Sequence, residues 1–382
     1  MNHAASTIGP ARAVARHGGL PAPVWLTAAL LCAVLSSPAP IHAATVTGRA
    51  PAGGAERFTL SGGRVAVYNL AGALVLEPAS GSVTTVEVTR AGADAGQLKL
   101  TTGHADGRED LRVIYPGNRI VYPVLSHGST STTHVRDDGT FGGEHHGVWP
   151  DGRTVRISGS GGGTEAHADV RVLVAKGADL LVRLAVGDVR VTNVDSKLRV
   201  DIGSGAVVST DTRGDLDIDT GSGSVRVARA SGPVKIDTGS GGVSVHDVSG
   251  GPLSIDTGSG GVEASALDVS TLSVDTGSGH VELSEVTANS MHVDTGSGGV
   301  AVALRRAFDE LNIDTGSGAV EVTMPRDTGA MLALEAGSGG LDVDLPMTNV
   351  RRDHGELHGQ IGDGKGRIVI ETGAGGIHIA GR

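Results

Sequence analysis

The sequence predicts an all-β chain, wound as a right-handed parallel β-solenoid (a parallel β-helix) with 18–20 residues to the rung. Three observations carry this expectation. The phrase Asp-Thr-Gly-Ser-Gly begins at Asp219, Asp237, Asp256, Asp275, Asp294 and Asp314, and each copy starts 18 to 20 residues after the one before. Apolar and polar residues alternate on both sides of each copy, as in Val234-Lys235-Ile236-Asp237 and Val243-Ser244-Val245. That is the period-two signature of a strand with one buried face. The composition agrees, because 61 glycines stand beside only three Phe, three Tyr and two Trp, which suits many corners around an aliphatic core.

Composition also excludes classes. With 39% hydrophobic and 19% charged residues the chain is neither a polar disordered polymer nor a membrane bundle, and its glycines lack the three-residue period of collagen. A formal net charge of −11 opposes binding to a nucleic-acid backbone, which needs clustered Lys and Arg, and the scarce aromatics offer few platforms for base stacking. No nucleic-acid partner is expected.

The elements follow in order. Residues 1–43 read as a secretory signal peptide: Arg12 and Arg16 without an acid, an apolar run from Val24 to Leu35, then Ile41-His42-Ala43 at the small-residue end. The run is shorter than the roughly 20 residues of a membrane span. Cys32, the one cysteine, lies inside it, so the exported chain is expected to have no disulfide. It should be secreted or periplasmic, or held at the cell surface, with no transmembrane segment after cleavage.

Residues 44–169 keep the alternation without the phrase, for example in Arg64-Val65-Ala66-Val67-Tyr68 and Leu111-Arg112-Val113-Ile114-Tyr115. They are expected to form the irregular beginning of the same stack. Within them residues 122–163, rich in Gly, Ser and His, read as a surface loop. Residues 170–382 should hold the regular rungs, with a loop at 346–366 and a C-terminal cap. Identical units that each bury one face stack most simply as successive parallel rungs. Glycines make the first corner, and Ser231-Gly232-Pro233 or Ser249-Gly250-Gly251-Pro252 the second. Val248, Leu267 and Val286 recur 19 apart near that second corner as a possible third inward position, leaving a two-sided and a triangular rung both open.

The sharpest chemical feature is one acid per rung: Asp201, Asp219, Asp237, Asp256, Asp275, Asp294 and Asp314. Alternation points Ile236 inward and Asp237 outward, and turns Thr238 back to the core. A structural turn ladder explains the acids, each accepting hydrogen bonds from the free N–H groups of its Gly-Ser-Gly corner, while Thr and Ser hydroxyls bond along the stack. Carboxylates ~4.8 Å apart repel by about 0.9 kcal/mol per pair even in water, so a cation ladder is the alternative, with calcium as the candidate ion. The nine-residue Gly-Gly-x-Gly-x-Asp period of calcium-binding rolls is absent. Paired acids on a β-helix can also cleave glycans, but here the acids repeat by rule where a catalytic site would break the repeat. No catalytic residue is assigned. His134, His145 and His146, with Asp137, Asp138 and Glu144 nearby, are the zinc candidates, set against a solvated polar loop whose spacing matches no zinc motif.

Together the Asp-Thr-Gly-Ser-Gly-x-Val rungs, Val65-Ala66-Val67-Tyr68-Asn69-Leu70-Ala71-Gly72 and His358-Gly359-Gln360-Ile361-Gly362-Asp363-Gly364 resemble the bacterial putative-adhesin family of exported β-solenoids, whose molecular function is not established. The resemblance covers nearly all of the chain after residue 43, and residues 122–163 depart from it. It implies a binding or structural role at the cell envelope, toward a protein or glycan, and supplies no catalytic residues. A carbohydrate-active β-helix enzyme and a calcium-stabilised envelope structural protein are the rival expectations.

Overall fold

A computed structural model describes residues 54–142 and 151–382. The expected signal peptide lies outside the described residues, as do Glu144, His145, His146 and Trp149. The regular elements among the described residues are β-strands, apart from one 3-10 turn at Ala95–Gln97. The strands form sheets of fourteen, fifteen and four strands.

From Val189 to Met324 consecutive strands alternate between the two large sheets, and within this stretch each pairs in parallel with the strand two places later. Val225–Ser231 lies on Val243–Ser249 in the fourteen-stranded sheet, and Val234–Ser240 lies on Leu253–Thr257 in the fifteen-stranded sheet. One repeat therefore contributes one strand to each sheet. Like residues stack on like, as Ile236 on Ile255 and Val243 on Val262. These inward Val, Ile and Leu side chains are buried from Leu60 to Ile379 in one continuous core. Burying a side chain of this kind contributes roughly 1.5–3 kcal/mol, and the alternation fixes the register, because a one-residue slip would turn every apolar residue outward.

Val248, Leu267 and Val286 do point inward, at 1% exposure or less. The strand that carries each is interrupted by one residue in the left-handed region: Asp247, Ala266 and Glu285 have φ of 57°, 54° and 53°. That residue restores the inward phase, so the burial runs Val243 in, Val245 in, His246 and Asp247 out, Val248 in.

Both ends of the stack depart from chain order. The rung built from Arg64–Ala71 and Leu74–Pro78 lies directly against Asp179–Val186 and Val189–Thr192, so the intervening residues leave the stack and return to cover its end. Thr84–Ala91 and His167–Val174 pair antiparallel beyond Leu74–Pro78. Arg108–Ile114 and Lys99–Ala105 extend the other sheet. Tyr115 holds this excursion to the rung: its hydroxyl lies 2.8 Å from both Asn69 Oδ1 and the Ala71 carbonyl oxygen, and Asn69 Nδ2 donates to the Ala168 carbonyl at 2.7 Å.

Two segments expected as loops contain paired strands. Within 122–163, Thr130–Val135 and Arg153–Ser158 pair antiparallel in the four-stranded sheet, with Val135, Val155 and Ile157 buried. The polar run Thr130-Ser131-Thr132-Thr133-His134 hides the first of these strands in the sequence, because its apolar residue comes only at the end. Within 346–366, Met347–Asp353 and Glu356–Ile361 form an antiparallel hairpin along Ala330–Ala336. The rungs themselves are also out of order, with Ile377–Gly381 seated between Val320–Met324 and Leu341–Val343.

Candidate binding face and its corner chemistry

The phrase residues divide their work at the corner. Thr220, Thr238, Thr257, Thr276, Thr295, Thr315 and Thr372 are all buried, at 4% exposure or less. From Thr257 onward each hydroxyl accepts from the amide of the second glycine of its own corner, as Gly298 N donates to Thr295 Oγ1 at 3.0 Å. It donates in turn to the carbonyl of the equivalent glycine one rung back, as Thr295 Oγ1 does to Gly279 at 3.2 Å. The expected hydroxyl bonding along the stack is therefore present. From Thr257 onward the expected acceptor for the corner amide is corrected: it is the threonine, and no hydrogen bond from the corner amides to Asp237, Asp256, Asp275, Asp294 or Asp314 is found among the described residues. The reason is orientation, since the strand pleat turns Asp out of the corner and Thr into it.

The second glycine is demanded by close approach. A Cβ on Gly298 would stand 2.5 Å from the Gly279 carbonyl carbon and closer still to its oxygen, so successive corners stack backbone on backbone.

Freed from the corner, the acids form an outward column. Asp201, Asp219, Asp237, Asp256, Asp275, Asp294 and Asp314 lie opposite one another in unbroken register. The column continues to residues that chain order obscures: Glu371 lies opposite Asp314, Glu335 opposite Glu371, Glu356 opposite Glu335 and Asp353 opposite Glu356. Glu335 and Glu371 open degenerate copies of the phrase, which is the signal that could have found them. Their spatial order, Asp314 then Glu371 then Glu335, was hidden because the later copy sits inside the earlier pair.

At its other end the column meets cations. Arg183 lies opposite Asp201, with Nε 3.3 Å from Oδ2, then Tyr68 opposite Arg183 and Arg112 opposite Tyr68. Arg112 forks onto the fully buried Asp110 at 2.9 and 2.8 Å and also reaches Asp138 at 3.1 Å. Burial raises the Asp201 carboxyl above its ordinary value, against the opposing pull of Arg183 and Arg199. Burial, and then the like charges of Asp201 and Asp237, raise Asp219 too.

Beside the acids, over four rungs between Lys235 and Val369, runs a second column of polar residues, Ser254, Ser273, His292 and Asn312. On the other large sheet, the left-handed residues Asp211 and Arg229 form a bidentate pair at 2.6 and 2.9 Å, which holds the Asp211 carboxyl below its usual range. They line a shallow groove with Arg213, Asp247 and Ser249. Of the zinc candidates, His134 is described: its Nε2 lies 3.2 Å from the Asp151 carbonyl oxygen. Asp137 and Asp138 lie in the same four-stranded region. Among the described residues no group of three His, Cys, Asp or Glu is arranged to hold a metal, and no helix is long and apolar enough to cross a membrane.

Comparison with known proteins places this repetitive β architecture in context. The family model described as Toastrack DUF4097 matches residues 208–380, less than half of the chain, and covers most of the acid column. No curated protein sequence matches. Among solved structures the chain is similar to a "putative cell adhesion protein" from Clostridium sporogenes ATCC 15579, at 11% identity over 86% of this chain and 100% of that one, with a TM-score of 0.18. The chain is a repeat-built, almost entirely β protein.

Proposed function

We propose that this chain is an exported, non-enzymatic, adhesin-like β-solenoid, right-handed in its winding, that presents a rigid extended surface to a protein or glycan of the bacterial cell envelope. The handedness follows from the near-universal right-handed sense of parallel strand crossovers. Its compartment is the periplasm, the cell surface or the exterior, a reading supported by the signal-peptide features of residues 1–43.

The supporting observation is the outward face of the fifteen-stranded sheet. From Asp201 to Asp314 every rung offers a carboxylate at the same register position, and from Asp256 to Asp314 an uncharged or imidazole polar side chain stands two residues before it, at the ~4.8 Å strand repeat. Such a face suits an extended partner with its own periodic positive charge, read by complementarity of potential along its length. A catalytic reading needs a local constellation that differs from its neighbours, and from Asp219 to Asp314 the aspartates repeat without such a break. Binding is the use such uniformity favours.

The test is capture from envelope extracts and on glycan arrays, comparing the wild-type chain with a variant carrying Asp256→Asn, Asp275→Asn, Asp294→Asn and Asp314→Asn. The wild type is expected to retain partners that the variant loses, and repetition in chelator reads whether a divalent cation bridges them. Equal capture by both proteins would overturn the assignment of the face. New reducing ends from a polysaccharide panel would overturn the non-enzymatic reading.

A further inference from the structure

The rung formed by residues 366–381 is interposed between two others. Gly366–Thr372 pairs in parallel with Glu310–Thr315 on one side and Ala330–Ala336 on the other. Ile377–Gly381 does the same between Val320–Met324 and Leu341–Val343. Its inward residues Ile368, Ile370, Ile377 and Ile379 are at most 2% exposed, so it is full core on both flanks.

The two rungs that it separates match each other as well as they match it. Leu311 and Leu332 both face Ile368, Ile313 and Leu334 both face Ile370, and Asp314 and Glu335 both face Glu371. The glycine corners are equivalent as well, since a Cβ on Gly375 would strike the Gly318 carbonyl and one on Gly339 the Gly375 carbonyl. If the interposed rung withdraws, its neighbours can close up in register with no apolar residue turned outward. The withdrawn pair of strands then has two unpaired edges and one apolar face, and a slot with matching register on both sides exists in another copy of the same fold.

The connection to this rung is short and lies outside the core. Residues 362–365 form a turn in which Lys365 Nζ meets Asp363 Oδ2 at 2.7 Å, and Gly362, Asp363 and Lys365 are exposed. The turn crosses the start of Ala330–Ala336, where Gly366 N donates to the Gly329 carbonyl at 3.0 Å. A short hinge carrying an element that is paired on both sides is the arrangement that permits exchange of that element between copies. We propose that residues 366–381 are an exchangeable rung, which a second copy of this chain accepts into its own slot, so that two copies are joined by reciprocal strand exchange.

Single cysteines read this directly. Asn312 and Val369 are register partners across adjacent strands, both partly exposed, and neighbouring strands at ~4.8 Å fall in the range a disulfide spans. In a full-length chain carrying Cys32→Ser, N312C and V369C are made separately, tagged to different masses, mixed, incubated and mildly oxidised. Exchange is expected to yield the mixed disulfide in excess of its random share relative to the two homodimers, and the excess should grow with protein concentration. A mixed disulfide at or below the random share, while the N312C/V369C double variant closes its disulfide within one chain at every concentration, would overturn the proposal. Should either position impair folding, Glu310→Cys and Arg367→Cys, also register partners, give the same reading.

Discussion

The hydroxyl of Thr315 donates across one rung to the carbonyl oxygen of Gly298 at 3.0 Å, while accepting from the Gly318 amide, also at 3.0 Å. One buried side chain thus satisfies a donor on its own rung and an acceptor on the next. Repeated at Thr257, Thr276, Thr295 and Thr372, this relay ties the corners together. Replacing Thr295 by Val keeps the shape but leaves the Gly298 amide and the Gly279 carbonyl without that partner. Thr295→Val is expected to cost about 2–4 kcal/mol, read as a lower urea midpoint at unchanged slope, and Thr295→Ser much less. A larger loss for Thr295→Ser than for Thr295→Val would show that the methyl group matters and the hydrogen bonds do not.

Glycine positions in the corner should differ sharply in tolerance. Gly298→Ala drives a methyl into the Gly279 peptide and is expected to cost more than about 3 kcal/mol. Gly340→Ala meets open space and should fall within about 0.5 kcal/mol of wild type. Thermal melts of the two variants check the contrast, and a stable Gly298→Ala protein would contradict the backbone-on-backbone stacking.

Ala266 holds a φ of 54°, in the region where a Cβ crowds the following carbonyl. Ala266→Gly relieves that crowding, against the greater chain entropy of glycine, and a net gain of about 0.5–1 kcal/mol is expected. Chemical denaturation measures it. A loss would mean that the Ala266 methyl contributes packing that outweighs the backbone conformation.

Asp219 in the acid column should contribute to the pH dependence. Asp219 is raised by burial and by Asp201 and Asp237, so it binds its proton more tightly in the folded chain than in the unfolded one. Its contribution to stability is complete below the unfolded value near ~3.9 and is lost as pH rises through the higher folded value. Asp219→Asn is therefore expected to raise the urea midpoint at pH 7, with the gain shrinking in acid and in high salt, where charges are screened. A gain independent of both pH and salt would remove electrostatics as its cause.

Much of this was legible in the residues. Alternation around Asp237 determined which side chains point inward, because a strand pleat has a period of two, and it correctly turned Ile236 and Thr238 to the core and Asp237 out. The recurring phrase likewise determined a repeat-built β fold. The partner of the corner amide is not legible in the residues, because Asp and Thr can both accept and only the direction of each side chain on the folded rung decides between them.

What tertiary structure alone decided is the order of the rungs. Identical repeats present identical edges, so any copy can stack on any other, and nothing local forbids Glu371 from lying between Asp314 and Glu335. The choice rests on contacts between segments far apart in the chain, among them the Ala330–Ala336 strand shared by the hairpin on one edge and the 366–381 rung on the other. In the same way the strand at Thr130–Val135 exists because Arg153–Ser158 pairs with it, a long-range cause that its own polar sequence does not record.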